Sequence, residues 1–297
     1  MQKRLRFVSV LVCLACLPLA AQLSENATWA AWVSSQYRSV PNITYLTANN
    51  YEAKLDVYTP RTASGPAPVL MYIHGGGWVG GTKESSFLVT MPYLEMGWAV
   101  VNVEYRLGRV SLAPAAVEDC LCALRWIYRN AKTYNFDTSR IVVTGHSAGG
   151  HLSLTTGMLP ASAGLDRECP GTEDLKVAAI VNWFGITDVV DLLDGPNMKT
   201  YAVAWLGSMP NREEIARRVS PLTYVRPGLP PIITIQGDAD PVVPYSHGVR
   251  LRDALNKAGV VNQLVTVPGG KHGGFTKEET LKAYEALRAF LGKHNLK

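Results

Sequence analysis

From residue 44 onward, short apolar runs alternate with longer stretches of helical period. TYLTANNYEAKLDVYTP (44–60) reads as two strands around an Asn-Asn turn, and RTASGPAP after it is rich in turn formers. PVLMYIH (68–74) is a buried strand, its apolar residues forming one run. A helical stretch around FLVTMPYLEMG (87–97) leads to the strand WAVVNVEY (98–105). LAPAAVEDCLCALRWIYRNAKTY (112–134) has helical period and length. RIVVTG (140–145) is another buried strand, and SAGGHLSLTTGML (147–159) a helix. VAAIVNWFG (177–185) and PPIITIQG (230–237) are strands; YSHGVRLRDALNKAG (245–259) is a helix, NQLVTVPG (262–269) a strand, and KEETLKAYEALRAFLGKH (277–294) an amphipathic helix.

Apolar strands separated by helices predict an α/β fold, with a mostly parallel twisted sheet covered by helices on both faces. Antiparallel strands are expected at its N-terminal edge. Residues 186–222 break the rhythm: they join strand to strand, yet are long and hold the short helical pieces VVDLLD, KTYAVAWLG and REEIARRV. A long insertion at the carboxyl edge of a sheet often covers a site, so a small helical cap is expected there.

The first 21 residues stand apart. Lys3, Arg4 and Arg6 precede the apolar run FVSVLVCLACLPLAA, which ends on small residues. This predicts a secretory signal peptide over 1–21, too short for a bilayer span, followed by a single domain over 22–297. Export to the periplasm or outside is the expected localisation, with no stable membrane span after cleavage. Removing those three cations from 29 basic residues leaves 26 against 24 acidic. That near-balance, without a basic stripe, argues against a nucleic-acid partner. Of five cysteines, Cys120, Cys122 and Cys169 would remain in the exported chain. Buried thiols are the expectation for Cys120 and Cys122, with one bridge to Cys169 open in an oxidising compartment. Asn26-Ala27-Thr28 and Asn42-Ile43-Thr44 are glycosylation acceptors in a host that glycosylates.

The chemistry centres on Gly145-His146-Ser147-Ala148-Gly149, where the strand RIVVTG runs directly into a helix. G-x-S-x-G between strand and helix is the nucleophile-elbow pattern, and glycines at both ends relieve the crowding of so tight a turn. The alternative is a serine that merely caps the helix. A serine nucleophile needs a base. Of six histidines, His272 lies in the glycine-rich loop PGGKHGGF directly after a strand and comes late in the chain, as this fold's base does. A carboxylate must then fix its tautomer. Asp238 and Asp240 both fall at the end of PPIITIQG, and the residues alone do not separate them. His74-Gly75-Gly76-Gly77-Trp78 follows PVLMYI and matches the glycine loop that completes an oxyanion hole with the residue after the nucleophile.

KLDVYTP, PVLMYIHGGGWVGGTK, VVNVEYRL, the segment from AVEDCLCALRW to GHSAGGHLS, and GDADPVVPYSHG together resemble the α/β-hydrolase esterases. They are closest to the bacterial feruloyl/acetyl-xylan esterase-like branch, near the hormone-sensitive-lipase-like carboxylesterases. The similarity spans roughly 45–293 and is specific to the superfamily, not to one substrate. It implies the α/β-hydrolase fold. Within the family's G-x-x-D-x-x-V-P motif it assigns the acid to Asp240. It implies that Gly76 and Gly77, with Ala148, donate to the oxyanion, and that Asp119 is structural. The hormone-sensitive-lipase-like D-P-L stretch and long N-terminal cap are absent.

A secreted serine carboxylesterase is therefore expected. Ser147 attacks, His272 takes the proton, Asp240 holds His272, and an acyl-enzyme forms without metal or cofactor. Its expected partners are small-molecule or polysaccharide-linked esters, acetyl or feruloyl groups on plant polysaccharide among them. Trp78, Trp183, Phe184 and Trp205 are the candidate lining of the acyl pocket. Two rivals stand beside this. One is an amide hydrolase of the same fold, an arylformamidase or a peptidase resembling the prolyl-oligopeptidase group. The other is a non-catalytic binding protein.

Overall fold

The computed structural model describes residues 24–296. The expected signal peptide, residues 1–21, lies outside the described residues. Two compact units divide the chain after Ser35. The described part of the first is helix α1 (Glu25–Gln36), which carries Glu25 in its first turn and exposes Trp32. The second unit begins at Gln36 and holds the sheet.

Eight strands form that one sheet: β1 (Tyr37–Ala48), β2 (Tyr51–Pro60), β3 (Ala67–Ile73), β4 (Ala99–Val103), β5 (Phe136–His146), β6 (Ala179–Trp183), β7 (Ile232–Gly237) and β8 (Asn262–Val267). Their order is β1-β2-β4-β3-β5-β6-β7-β8. β1 and β2 pair antiparallel, as do β2 and β4; every other neighbour is parallel. The helices are α2 (Met91–Glu95), α3 (Ala115–Arg129), α4 (Ala131–Tyr134), α5 (Ala148–Met158), α6 (Thr200–Leu206), α7 (Arg212–Arg218), α8 (Ser246–Lys257) and α9 (Lys277–Lys293). The α/β-hydrolase expectation holds, including its antiparallel edge. β4, β6 and β7 are buried at every position, as near-continuous apolar runs between helical layers require.

Two elements depart from the sequence reading, both through proline. β1 starts at Tyr37, seven residues before the expected strand. Pro41 argues against a ladder position, but β1 is an edge strand whose register shifts between Val40 and Ile43, and such edge irregularities tolerate proline. The helix expected around 87–97 is instead a 3₁₀ turn, Glu84–Thr90, followed by the five-residue α2. Pro92 near the start of α2 has no N–H to continue a helix from behind, so a new one begins there.

Buried ion pairs brace the strand ends. Arg106 donates to Asp119 through Nε (2.9 Å) and Nη2 (2.6 Å), and its backbone N–H reaches the same carboxylate at 2.8 Å. Both side chains are buried, which makes Asp119 the structural residue the resemblance implied. Lys83 Nζ lies 2.9 Å from Asp56. Removing one partner of such a pair typically costs about 3–5 kcal/mol.

Cys122 and Cys169 form a disulfide, whereas Cys120 is a buried free thiol. The expectation of two buried thiols is thus corrected at Cys122: the loop after α5 carries Cys169 back to α3. Among the described residues no helix is long and apolar enough to cross a membrane.

Candidate active site

The parallel strands deliver their functional residues to one edge of the sheet. Ser147 follows β5, His74 to Trp78 follow β3, Asp240 follows β7, His272 follows β8, Trp183 ends β6 and Phe184 follows it. In an open α/β sheet this carboxyl edge is where ligands bind.

Ser147 sits at φ 57°, ψ −118°, a conformation that costs a non-glycine residue about 1–3 kcal/mol. The surroundings enforce it. Ser147 N–H donates to Trp183 O at 2.9 Å, and His151 N–H to Ser147 O at 3.0 Å. A Cβ on Gly145 would fall 2.3 Å from Ile73 O, and one on Gly149 2.1 Å from the same atom. The elbow closes over β3 only because both positions lack a side chain. Although Ser147 is the residue before α5, its side chain makes no capping hydrogen bond, so the hydroxyl is not spent on the helix. Its partly exposed position leaves it accessible.

His272 Nδ1 lies 2.7 Å from Asp240 Oδ2. Asp240 Oδ1 accepts from the amides of Val242 (2.8 Å) and Val243 (3.0 Å). These contacts make Asp240 the histidine's partner. Asp238 is exposed and accepts instead from the Gly269 amide at 2.6 Å, tying the β7 loop to the His272 loop. Phe184 meets the His272 ring edge-on at 4.8 Å, and a capping box of Thr276 and Glu279 starts α9 immediately after the loop. A carboxylate accepts only, so Nδ1 carries the proton and Nε2 is left with its lone pair.

The glycine loop lies against the elbow: a Cβ on Gly75 would meet His146 O at 2.7 Å and Ser147 Cβ at 3.6 Å. Gly76 O accepts from Val79 and Gly80, making a tight turn with Gly76 at φ 119° and Gly77 at φ 59°. Among the described residues none accepts from the amides of Gly76, Gly77 or Ala148. Tyr201 of α6 packs against Gly77 and donates to Val242 O at 3.2 Å, joining the glycine loop to the acid's loop. Nothing in the local sequence around Tyr201 marks it for this place.

The expected acyl-pocket lining divides in two. Trp183 and Phe184 do line a cavity of about 530 Å³ beside the elbow, together with Tyr72, His146, Phe275 and Tyr284. Trp78 and Trp205 do not. Both are fully buried and stack on each other at 4.2 Å. Trp78 Nε1–H donates to His151 Nδ1 at 3.1 Å, so His151 Nε2–H donates onward to Val219 O at 2.7 Å. A φ of 61° at Trp78 turns its indole into the core, where it fastens the glycine loop to α5 and α6.

Burial holds the two remaining histidines of the elbow neutral. It lowers His151 to about 3, against the pull of the Val219 carbonyl. It lowers His146 to about 4, with the nearby charge of His272 acting in the same direction. His146 Nδ1 lies 2.8 Å from the Tyr72 hydroxyl. A second cavity, about 540 Å³, involves Arg125, Asp166, Glu173 and Arg226 near the far end of α5, roughly 16 Å of helix away from Ser147.

Comparison with known proteins bears on the fold and the family. The BD-FAE family model matches residues 55–255. Esterase LipQ of Mycobacterium tuberculosis is 29% identical over 81% of this chain, and the chain spans 59% of LipQ's length. A carbohydrate esterase from gut microbiota, in truncated form, superposes with a TM-score of 0.75 at 27% identity, covering 88% of this chain and 98% of its own. An esterase of Thermogutta terrifontis superposes with a TM-score of 0.71 at 27% identity, covering 86% and 92%; its structures include propionate- and butyrate-bound forms. With two-thirds of its length inside the family model and its fold shared with these esterases, the chain belongs to the BD-FAE family of α/β-hydrolase esterases.

Proposed function

We propose that the chain is a serine carboxylesterase working through an acyl-enzyme. The observation that carries this is the His272–Asp240 pair at the sheet edge where the uncommitted hydroxyl of Ser147 is presented. Ser147 Oγ attacks the ester carbonyl while His272 Nε2 takes its proton. Asp240 stabilises the imidazolium and keeps the tautomer. The carbonyl oxygen, now negative, is held by the amides of Gly76, Gly77 and Ala148, the last at the N-terminus of α5 where the helix dipole favours an anion. His272 then protonates the departing alcohol. Water, activated by the same histidine, releases the acid and restores Ser147.

The substrates are short-chain acyl esters or acetyl and feruloyl esters of plant polysaccharide. Support comes from the likeness to a carbohydrate esterase and to an esterase that binds propionate and butyrate. The aromatic cavity beside Ser147 suits a ring as well as a short chain. Secretion belongs to the same proposal and is supported by the Cys122–Cys169 disulfide, a bond typical of oxidising compartments.

The test is hydrolysis of p-nitrophenyl acetate, butyrate and octanoate and of methyl ferulate by the wild type beside Ser147→Ala. Turnover confined to the wild type is expected, falling from acetate to octanoate. Equal rates in both proteins would remove Ser147 from the chemistry.

A further inference from the structure

His146 stands between Gly145 and the nucleophile, yet no step of the acyl transfer uses it. Its ring is fixed on three sides. Tyr72 OH is 2.8 Å from Nδ1, Trp183 stacks at 5.2 Å, and Phe184 approaches at 5.3 Å. Nε2 makes no hydrogen bond to any described residue, and it is not among the polar atoms sealed from solvent. The free nitrogen therefore belongs to the cavity that Trp183, Phe184, Phe275 and Tyr284 wall with aromatic rings.

The direction of the Tyr72 contact decides what that nitrogen offers. The Tyr72 hydroxyl lies 2.8 Å from Nδ1, and burial pushes Tyr72 strongly towards its protonated form. A buried phenol keeps its proton and donates it to the imidazole lone pair within reach. Nδ1 then accepts, and the single proton of the neutral ring must sit on Nε2, facing the cavity. Resting on the esterase reading above, we propose that His146 is a specificity-determining residue: its Nε2–H donates to an oxygen on the ring of an aromatic acyl group held in the cavity, and Tyr72 positions it by setting the tautomer. The walls accept any ring of suitable size; the one directed N–H selects a ring that carries an acceptor. A substrate without that oxygen leaves the donor to water in a confined space, which lowers its transition-state binding.

The experiment compares methyl 4-hydroxycinnamate with methyl cinnamate, two esters with the same skeleton. kcat and KM are measured for the wild type, His146→Leu, His146→Gln and Tyr72→Phe, with p-nitrophenyl acetate as the check on esterase competence. The wild type is expected to prefer the hydroxylated ester by about tenfold in kcat/KM. In His146→Leu the ratio falls towards one, and in His146→Gln, which keeps an N–H donor, part of it returns. Tyr72→Phe leaves the elbow residues untouched and lowers the ratio mainly through KM for the hydroxylated ester. It carries the test if His146→Leu does not fold. A merely structural role for His146 would lower both esters together and leave the ratio alone, which would overturn the proposal. So would a wild type that cleaves p-nitrophenyl acetate but shows no preference, or cleaves neither cinnamate. A wild type that cleaves no ester at all would instead overturn the esterase reading on which the proposal stands.

Discussion

Asp240 holds His272 with one carboxylate oxygen, 2.7 Å from Nδ1, while the amides of Val242 and Val243 hold the other. The acid is thereby fixed in orientation before it fixes the histidine. Asp240→Asn would present an amide where a lone pair is needed and would favour the wrong tautomer. Loss of kcat by about 10⁴ is expected, with substrate binding largely kept. Asp238→Asn is the control from the same loop: it still accepts from Gly269, and kcat should stay within a few-fold of wild type. Steady-state kinetics on p-nitrophenyl acetate reads both. Equal losses in the two variants would contradict the assignment of the acid.

The tryptophans make separable predictions. Trp78 and Trp205 are stacked in the core, so Trp78→Ala should cost about 3–5 kcal/mol of stability, as large-to-small changes of buried aromatics do. Trp183 forms a wall of the cavity, and Trp183→Ala should change the ratio of methyl ferulate to p-nitrophenyl acetate turnover more than it changes the urea midpoint. Denaturation and the two-substrate ratio, measured on both variants, check this. A Trp78 variant of unchanged stability would contradict its core position.

How legible the site was varies residue by residue. Ser147 could be read because a strand-to-helix elbow needs glycine at 145 and 149, where a Cβ would strike Ile73 O. His272 could be read because a glycine-rich loop after a strand reaches the sheet edge. Asp240 and Asp238 could not be told apart from their own positions, since the difference lies in which loop amides surround each carboxylate. Trp78 misled because it sits in a catalytic motif while its left-handed backbone turns the ring inward. Tyr72, Phe275 and Tyr284 carried no signal, since cavity walls contributed by β3, a loop and α9 are set only by tertiary packing. The same holds for the early start of β1, where Pro41 reads as a strand breaker until the strand is known to be an edge.

The disulfide joins residues 47 apart and anchors the loop after α5 to α3. Closing a loop of that length restricts the unfolded chain by about 4 kcal/mol on the chain-entropy account. Cys169→Ser, or full reduction, should therefore lower the unfolding free energy by a few kcal/mol. p-Nitrophenyl acetate turnover should persist below the new midpoint, because no residue of the proposed triad contacts the bridge. Urea unfolding with and without reductant checks it. Reductant that leaves the midpoint unmoved, in a protein whose thiols titrate as released, would contradict a stabilising bridge.

His151 gives the protein an acid limit of identifiable origin. In the fold it is neutral, accepting from Trp78 and donating to Val219, and burial lowers it to about 3. Unfolded, it titrates near 6.5. Between those values the unfolded chain binds the extra proton, so stability rises with pH through the window and is fully present above about 6.5. As pH falls from 6.5 towards 3, this one group removes roughly 1.4 kcal/mol per unit. His146, lowered to about 4, adds the same sign over a shorter range. His151→Gln cannot take up that proton. It should be less stable than wild type at pH 7, where the tailored pair of hydrogen bonds is lost. Its stability should fall less steeply on acidification, so the two curves converge as pH drops from 6.5 to 4.5. Urea midpoints across that range decide it: parallel curves would mean that His151 carries its proton equally in both states and that burial does not hold it neutral.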